Sequence, residues 1–142
     1  MSNKRKIKEG ISKDLKNKTI LITGGAGSVG SALAEKMLQY PVKAVRVLDS
    51  NEHALFTLKR SLNDSRLRLL LGNILDKDRV EMASNDADII IHAAAAKNIE
   101  ITEFNAIDTI DININGTMNM IKTAIQTKPE RFLNISTDKV AE

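Results

Sequence analysis

Three glycines recur at intervals of three residues, Gly24, Gly27 and Gly30, between an apolar run and a helical pattern. Gly24 allows a tight turn, Gly27 lets the backbone approach a bulky anion, and Gly30 lets the following helix pack closely on the strand. That helix would direct unpaired N–H groups and a partial positive charge at the anion, with Ser28 and Val29 beside it. The spacing predicts a phosphate-binding turn, and a plain tight turn is the alternative.

An acidic residue follows the glycines at a distance typical of dinucleotide sites. Asp49 lies 19 residues after Gly30, at the end of the second apolar run, and Ser50 is next to it. A carboxylate in this place accepts hydrogen bonds from an adenosine ribose, and it would repel a 2′-phosphate. The sequence therefore favours NAD over NADP as the cofactor. In the alternative interpretation, Asp49 caps the helix that begins near residue 52.

Five apolar runs alternate with helical patterns, and these elements must position the glycines and the acid. Continuous aliphatic strands separated by helices indicate a parallel sheet covered on both faces. Right-handed crossovers then give an α/β doubly wound sheet of the Rossmann type with strand order 3-2-1-4-5. We expect His92, Met118 and Met120 to pack inside it. The predicted strands are 19–23, 44–49, 67–73, 88–96 and 131–137, and the predicted helices are 28–40, 52–62, a short helix capped by Asp76, and 109–127.

The motif Thr-Gly-x-x-Gly-x-x-Gly at 23–30 resembles the extended branch of the short-chain dehydrogenase/reductase superfamily. Three later segments extend the resemblance: GNILD at 72–76, HAAAAK at 92–97 and NINGT at 113–117. In that superfamily the first contacts the adenine, the second lies against the cofactor and the third supports the active site. The resemblance implies cofactor contacts from Asn73 (in place of the usual acid), Ile74, Ala93, Ala94, Ala95, Lys97 and Asn113.

The segment ISTDKV at 135–140 narrows the resemblance. Together with GGAGSVG and HAAAAKNIE, it is similar to the UDP-N-acetylglucosamine 4,6-dehydratases and related capsular-polysaccharide dehydratase/epimerase proteins. The resemblance implies that Thr137, or Ser136, binds the sugar C4 hydroxyl group. Asp138 would then protonate the departing C6 hydroxyl, and Lys139 would remove the C5 proton. Taken alone, the same residues also fit a helix cap with Lys139 in solvent.

The function implied by the resemblance is the NAD(P)-binding part of a nucleotide-sugar 4,6-dehydratase, a lyase of surface polysaccharide synthesis. Its substrate would be a UDP-N-acetylhexosamine, which Lys97 would help to fix. A nucleotide-sugar 4-epimerase of the same superfamily is one alternative, and a non-catalytic dinucleotide-sensing domain is another. The resemblance alone also implies that the enzyme forms homo-oligomers.

Composition limits the other classes of function. The absence of cysteine excludes disulfides, thiol nucleophiles and Cys-based metal sites, and two histidines are too few for us to expect a metal site. No apolar run approaches the roughly 20 residues that span a bilayer. We therefore expect a cytoplasmic protein without a membrane partner.

The net charge of +3 is concentrated at the N-terminus. Residues 1–18 hold seven Lys or Arg against two acids, a balance of +5, so the remainder carries −2. We expect residues 1–17 to be a solvated basic leader or a short amphipathic helix with Ile7, Ile11 and Leu15 on one face. Contact with nucleic acid or acidic lipid is the alternative, and we expect no nucleic-acid partner.

Residues 18–142 are expected to form one NAD(P)-binding domain that is incomplete. The resemblance implies a Tyr-x-x-x-Lys or Met-x-x-x-Lys helix after the fifth strand, further strands and a C-terminal lobe that binds the sugar nucleotide. None of these is in the sequence. We expect the chain to be the N-terminal part of a longer enzyme and not to turn over substrate by itself.

Overall fold

The protein forms a five-stranded parallel sheet with helices on both faces, in a computed structural model that describes residues 2–95 and 105–136. The strand order is β3-β2-β1-β4-β5, which confirms the predicted doubly wound topology. The strands are β1 (Thr19–Thr23), β2 (Ala44–Asp49), β3 (Leu67–Leu71), β4 (Ile89–His92) and β5 (Arg131–Asn134). The helices are α1 (Asn3–Leu15), α2 (Ser28–Met37), α3 (Glu52–Leu62), α4 (Lys77–Ser84), α5 (Ala106–Ile110), a π-helical segment (Asp111–Gly116) and α6 (Thr117–Thr127).

The central strand β1 separates two apolar clusters, one on each face of the sheet. All five of its side chains are buried. On one face Ile20 and Ile22 belong to a cluster with α2, α3 and the end of α1, and on the other Leu21 belongs to a cluster with α4 and α6. A strand covered on both faces needs apolar side chains at every position, so the period-2 alternation of a half-exposed strand is missing.

Several elements end earlier than the sequence predicts. Helix α2 ends at Met37 rather than residue 40, because the chain turns there: the Tyr40 N–H donates to the Met37 carbonyl at 3.0 Å, and Pro41 disfavours helical backbone at the residue before it. Strands β3, β4 and β5 end at 71, 92 and 134, where pairing with β2, β1 and β4 stops. The described residues just beyond these ends, 72–73, 93–95 and 135–136, belong to neither helix nor strand and lie at the carboxyl edge of the sheet.

The last long helix begins before the predicted residue 109 and is not α-helical throughout. It starts at Ala106, and a π-helical segment of six residues precedes α6. Met120 is fully buried, as predicted, but Met118 is 44% exposed, so its prediction as a core residue is wrong. Met118 and Met120 are two positions apart, which on an α-helix is about 200° around the axis. Both methionines therefore cannot face the core.

The basic leader forms helix α1, in which Leu15 is the only buried residue. Leu15 is buried in the cluster that contains Ile20, while Ile7 and Ile11 remain 56% and 38% exposed. An ion pair between Lys18 and Glu130 follows the helix. Within the residues that the structure describes, no helix combines the length and the apolar character needed to cross a membrane.

Candidate functional site

A cleft of about 320 Å³ opens at the carboxyl edge of the sheet, at the ends of β1 to β4. The chain passes from β1 outwards to β2 and β3 and then returns to β4 on the other side. Open α/β sheets bind ligands where the strand order reverses in this way. The lining residues are Gly24, Gly27, Ser28, Leu48, Asp49, Ser50, Gly72, Asn73, Ile74, Ala93, Ala94, Ala95 and Ile112. All of these except Leu48, Gly72 and Ile112 are predicted cofactor contacts.

The glycine turn, residues 24–30, forms one wall of the cleft. Gly24 has a φ of +65°, and a Cβ there would lie 2.6 Å from the Cα of Ala94, so the residue needs both the left-handed backbone and the missing side chain. A Cβ on Gly30 would lie 2.3 Å from the carbonyl oxygen of Gly24. Gly30 thus packs the helix against the turn itself, and the prediction that it packs the helix on the strand is wrong.

The N-terminus of α2 faces the cleft, and no side chain of the described residues caps it. Gly27 is the N-cap residue and has no side chain, and the first turn of the helix contains no acid. Ser28 lines the cleft, while Val29 and Gly30, predicted to contact the cofactor, are absent from the lining. Unpaired N–H groups at a helix start bind anionic oxygens. The residues present therefore fit a diphosphate.

Asp49, at the end of β2, is oriented by two backbone donors. Its Oδ2 accepts a hydrogen bond from the Ala26 N–H at 3.1 Å, and its Oδ1 accepts one from the Asn51 N–H at 2.9 Å. The cap of α3 is Asn51, whose side chain accepts from the Ala54 N–H. The alternative interpretation of Asp49 as the helix cap is therefore wrong. Its carboxylate lies at the rim of the cleft, with lone pairs left for a ligand.

The β3-exit turn, residues 72–76, forms a side wall of the cleft. Asn73 Oδ1 accepts a hydrogen bond from the Leu75 N–H at 2.9 Å, and the Asp76 N–H donates to the Asn73 carbonyl at 3.0 Å. Asp76 caps α4, as predicted, by accepting from the Arg79 N–H. The side chain of Ile74 is buried between this turn and α6.

His92 lies at the end of β4, just below the cleft, and is 1% exposed. Its Nδ1 is 2.6 Å from Thr23 Oγ1, and its Nε2 is 3.0 Å from Thr117 Oγ1, so its ring joins β1, β4 and α6. Burial lowers the pKa of His92 below 6.5, which keeps the ring neutral at pH 7. The predicted role as a packed residue at the strand end is confirmed.

Two other predicted residues, Asn113 and Ser136, are absent from the lining of the cleft. Asn113 is exposed on the π-helical segment, where Ile112 is the lining residue instead. Ser136 is exposed and follows β5 at the carboxyl edge. The predicted residues Lys97, Thr137, Asp138 and Lys139 lie outside the described part of the chain.

Three residues line the cleft although they are not predicted cofactor contacts: Leu48, Gly72 and Ile112. Gly72 was already quoted in the GNILD segment, and a Cβ there would lie 2.5 Å from the Arg79 Cγ. Leu48 and Ile112 look like ordinary core residues in the sequence. Only the folded arrangement shows that they border the cleft.

The chain is similar in sequence to a family of known proteins and to several of its members. Residues 20–142 match the sequence profile of the polysaccharide biosynthesis protein family. The chain is 43% identical to a protein of Methanocaldococcus jannaschii named “Uncharacterized membrane protein MJ1061”, over 91% of this chain and 39% of that protein. It is 33% identical to a UDP-N-acetylglucosamine 4,6-dehydratase (inverting) of Campylobacter jejuni, over 86% and 37% of the two chains. It is 31% identical to a UDP-glucose 4-epimerase of Rickettsia prowazekii, over 87% and 37%.

Solved structures agree with these relatives. The protein Pen from Bacillus thuringiensis superposes with a TM-score of 0.81 at 36% identity, over 84% of this chain and 37% of Pen. DesIV, a dTDP-glucose 4,6-dehydratase from Streptomyces venezuelae determined with NAD and TYD bound, gives a TM-score of 0.72 at 28% identity, over 80% and 38%. The chain thus spans under two fifths of the length of these relatives. The chain belongs to the polysaccharide biosynthesis protein family and is related to nucleotide-sugar dehydratases and epimerases.

Proposed function

We propose that the cleft binds NAD and that the chain is the cofactor-binding part of a nucleotide-sugar 4,6-dehydratase. The observation that carries this proposal is the uncapped start of α2 at Gly27, next to a carboxylate at Asp49 that two backbone N–H groups hold at the rim. The first suits a diphosphate and the second suits the two hydroxyl groups of a ribose. The NAD in the DesIV structure supports the same cofactor.

The choice of NAD over NADP depends on the charge of Asp49. The carboxylate cannot turn away from the cleft without losing its hydrogen bonds to Ala26 and Asn51. A 2′-phosphate on the adenosine ribose would therefore meet a fixed negative charge. The free ribose hydroxyls of NAD would instead donate hydrogen bonds to it.

Calorimetric titration of NAD and NADP tests this part of the proposal. We expect NAD to bind about tenfold more tightly, which corresponds to ~1.4 kcal/mol of repulsion against the extra phosphate. The variant Asp49→Asn should weaken NAD and reduce the difference between the two cofactors. Glu52→Gln removes an equal charge from the first turn of α3, outside the cleft lining, and should leave both affinities unchanged. Tighter binding of NADP to the unmodified protein would refute the assignment.

The proposed reaction removes water from a UDP-N-acetylhexosamine and leaves a 4-keto-6-deoxy sugar. When bound, NAD would supply the acceptor for the C4 hydride and the same hydride for C6 after water is lost, so that the cofactor ends oxidised and C6 becomes a methyl group. In this proposal Thr137 or Ser136 positions the C4 hydroxyl, Asp138 gives a proton to the C6 hydroxyl as it leaves, and Lys139 takes the proton from C5. The support for these roles is the Ser-Thr-Asp-Lys motif together with the dehydratase relative from Campylobacter jejuni.

A 4-epimerase is the second candidate, because UDP-glucose 4-epimerases match over the same part of the chain. The two activities give different products from UDP-N-acetylglucosamine: a dehydrated keto sugar, or the C4 epimer with its C6 hydroxyl intact. Proton NMR of the reaction mixture distinguishes them, since dehydration converts the C6 methylene into a methyl group. The intact protein that carries this chain should give the methyl signal.

The role of Lys139 is tested in the same assay. Lys139→Met should abolish dehydration and leave NAD affinity in place, because the base acts on the sugar. Lys122→Met, at an exposed position of α6, is the matched control and should retain turnover. Full turnover by the Lys139 variant would remove this residue from the mechanism. Failure of the intact protein to act on any UDP-sugar while it still binds NAD would favour a dinucleotide sensor.

A further inference from the structure

The β3-exit turn forms the wall of the cleft on the side of Asp49. The Gly72 N–H donates to the Asp49 carbonyl at 3.0 Å, so the turn begins directly beside the proposed ribose site. The ends of β2 and β3 lie on one side of the glycine turn and β4 lies on the other. A dinucleotide whose diphosphate rests on the glycine turn would therefore place its adenosine half against residues 72–76.

Two carbonyl groups of this turn accept hydrogen bonds from one side chain of α6. Asn119 Nδ2 donates to the Ile74 carbonyl oxygen at 3.0 Å and to the Leu75 carbonyl oxygen at 3.3 Å. A primary amide has two N–H groups on one nitrogen, so one Asn can satisfy two successive carbonyls. Asn119 is half-buried and lies 45 residues after Ile74 in the chain.

The side chain of Ile74 is fixed by the same end of the helix. A Cβ on Gly116 would lie 2.4 Å from Ile74 Cδ1, so the missing side chain of that glycine provides the space that Ile74 fills. Ile74 is 6% exposed and belongs to the cluster that also contains Met120. Both the backbone and the side chain of a cleft-lining residue are thus held by the start of α6.

We propose that Asn119 is a positioning residue for the adenosine half of the dinucleotide site. Its amide fixes the Ile74 and Leu75 carbonyls, and the Asn73 turn is then presented to the ligand in one conformation. A wall that is already ordered costs less free energy to occupy than one that must be ordered on binding. This inference rests on the proposed function, since it concerns the same cleft.

The variant Asn119→Asp tests the inference. It keeps the size of the side chain but replaces the donor with a carboxylate that the two carbonyls repel. We expect calorimetry to show about a tenfold weaker Kd for NAD and for ADP alike, the effect of losing ~1.4 kcal/mol of interaction. Asn115→Asp is the matched control: Asn115 Nδ2 donates to Asp111 Oδ1 on the exposed side of the same helix region, so its loss should not change either Kd.

Hydrogen exchange provides a readout that a purely structural role would not give. In Asn119→Asp the Leu75 and Asp76 amide protons should exchange faster, while the amides of β1 keep their protection. A general destabilisation would speed exchange throughout the sheet instead. If the unmodified protein does not bind NAD, the proposed function and this inference fail together. If it binds NAD, and Asn119→Asp binds equally well or loses protection everywhere, only the inference is wrong.

Discussion

The two walls of the cleft are held in place by different kinds of contact. In the glycine turn, backbone atoms lie against backbone atoms: a Cβ on Gly30 would come within 2.3 Å of a carbonyl oxygen only six residues earlier. In the β3-exit turn, the side chain of Ile74 lies against Gly116, and the amide of Asn119 holds the backbone. Backbone atoms, including those of Ala94 beside Gly24, fix the first wall, and side-chain contacts with a helix more than 40 residues away in the chain fix the second.

This difference determines how each wall responds to change. Backbone atoms in a tight turn cannot move without breaking the turn, so an added methyl group there must distort the structure. A side chain can change rotamer, so the same methyl group at the second wall can be accommodated in part. The glycine turn should therefore be the stiffer of the two walls and the less tolerant of substitution.

Alanine at position 30 should have the largest effect. We expect Gly30→Ala to lower the free energy of unfolding by about 3 kcal/mol, because its Cβ meets the Gly24 carbonyl and the Gly25 Cα. Gly27→Ala is the control in the same turn: its Cβ would lie 3.4 Å from the nearest atom, so the cost should stay below about 1 kcal/mol. Chemical denaturation measures both, and equal costs would contradict the proposed difference between positions.

The second wall allows a test of whether a side chain limits the substitution. Gly116→Ala should cost about 2 kcal/mol, since its Cβ would meet the Cγ1 and Cδ1 atoms of Ile74. In an Ile74→Ala background those atoms are absent and the nearest remaining atom lies 3.6 Å away. The same glycine substitution should then be neutral, a coupling that a double-mutant cycle measures. Additive costs would show that Ile74 is not what restricts position 116.

The same division explains what the sequence could predict. The glycine spacing, the distance to Asp49 and the aliphatic strands are local patterns, and they were enough to predict the strand order. The cap of α4 at Asp76 was also predicted, because an acid directly before a helical pattern can accept a hydrogen bond from a first-turn N–H. Each of these features depends on residues near one another in the chain.

The features that the sequence did not predict depend on distant contacts. Nothing near Asn119 indicates that it binds carbonyls 44 and 45 residues earlier. The π-helical segment has no pattern that distinguishes it from an α-helix, and Met118 looks like Met120 until the helix is placed on the sheet. Asp49 illustrates the remaining ambiguity, because its position also fitted the cap of α3, a role that Asn51 has in the structure.

His92 contacts Thr23, which precedes the glycine turn, and Thr117, at the start of α6, so its titration should affect the stability of the fold below the cleft. Its pKa in the folded state is below 6.5, so the unfolded chain binds the proton first as the pH falls. Stability should therefore decrease below pH 6.5, with a slope of at most about 1.4 kcal/mol per pH unit from this group. The variant His92→Gln cannot titrate and should lack this part of the decrease. Parallel pH profiles from 7.5 to 5.0 would show that the histidine is not responsible.

The smallest expected effects on stability come from two helix caps, Asn51 of α3 and Asp76 of α4. Asn51→Ala and Asp76→Ala should each cost about 1 kcal/mol, since each removes one acceptor for a first-turn N–H. The substitutions should differ in their effect on the cleft. Asn51→Ala keeps the backbone N–H that holds Asp49, so NAD affinity should not change. Asp76→Ala loosens the end of a wall that already depends on α6, so NAD affinity should fall by about threefold, a fraction of the cap energy. Equal affinities in the two variants would mean that the β3-exit turn is as rigid as the glycine turn, and that the helix behind it contributes little.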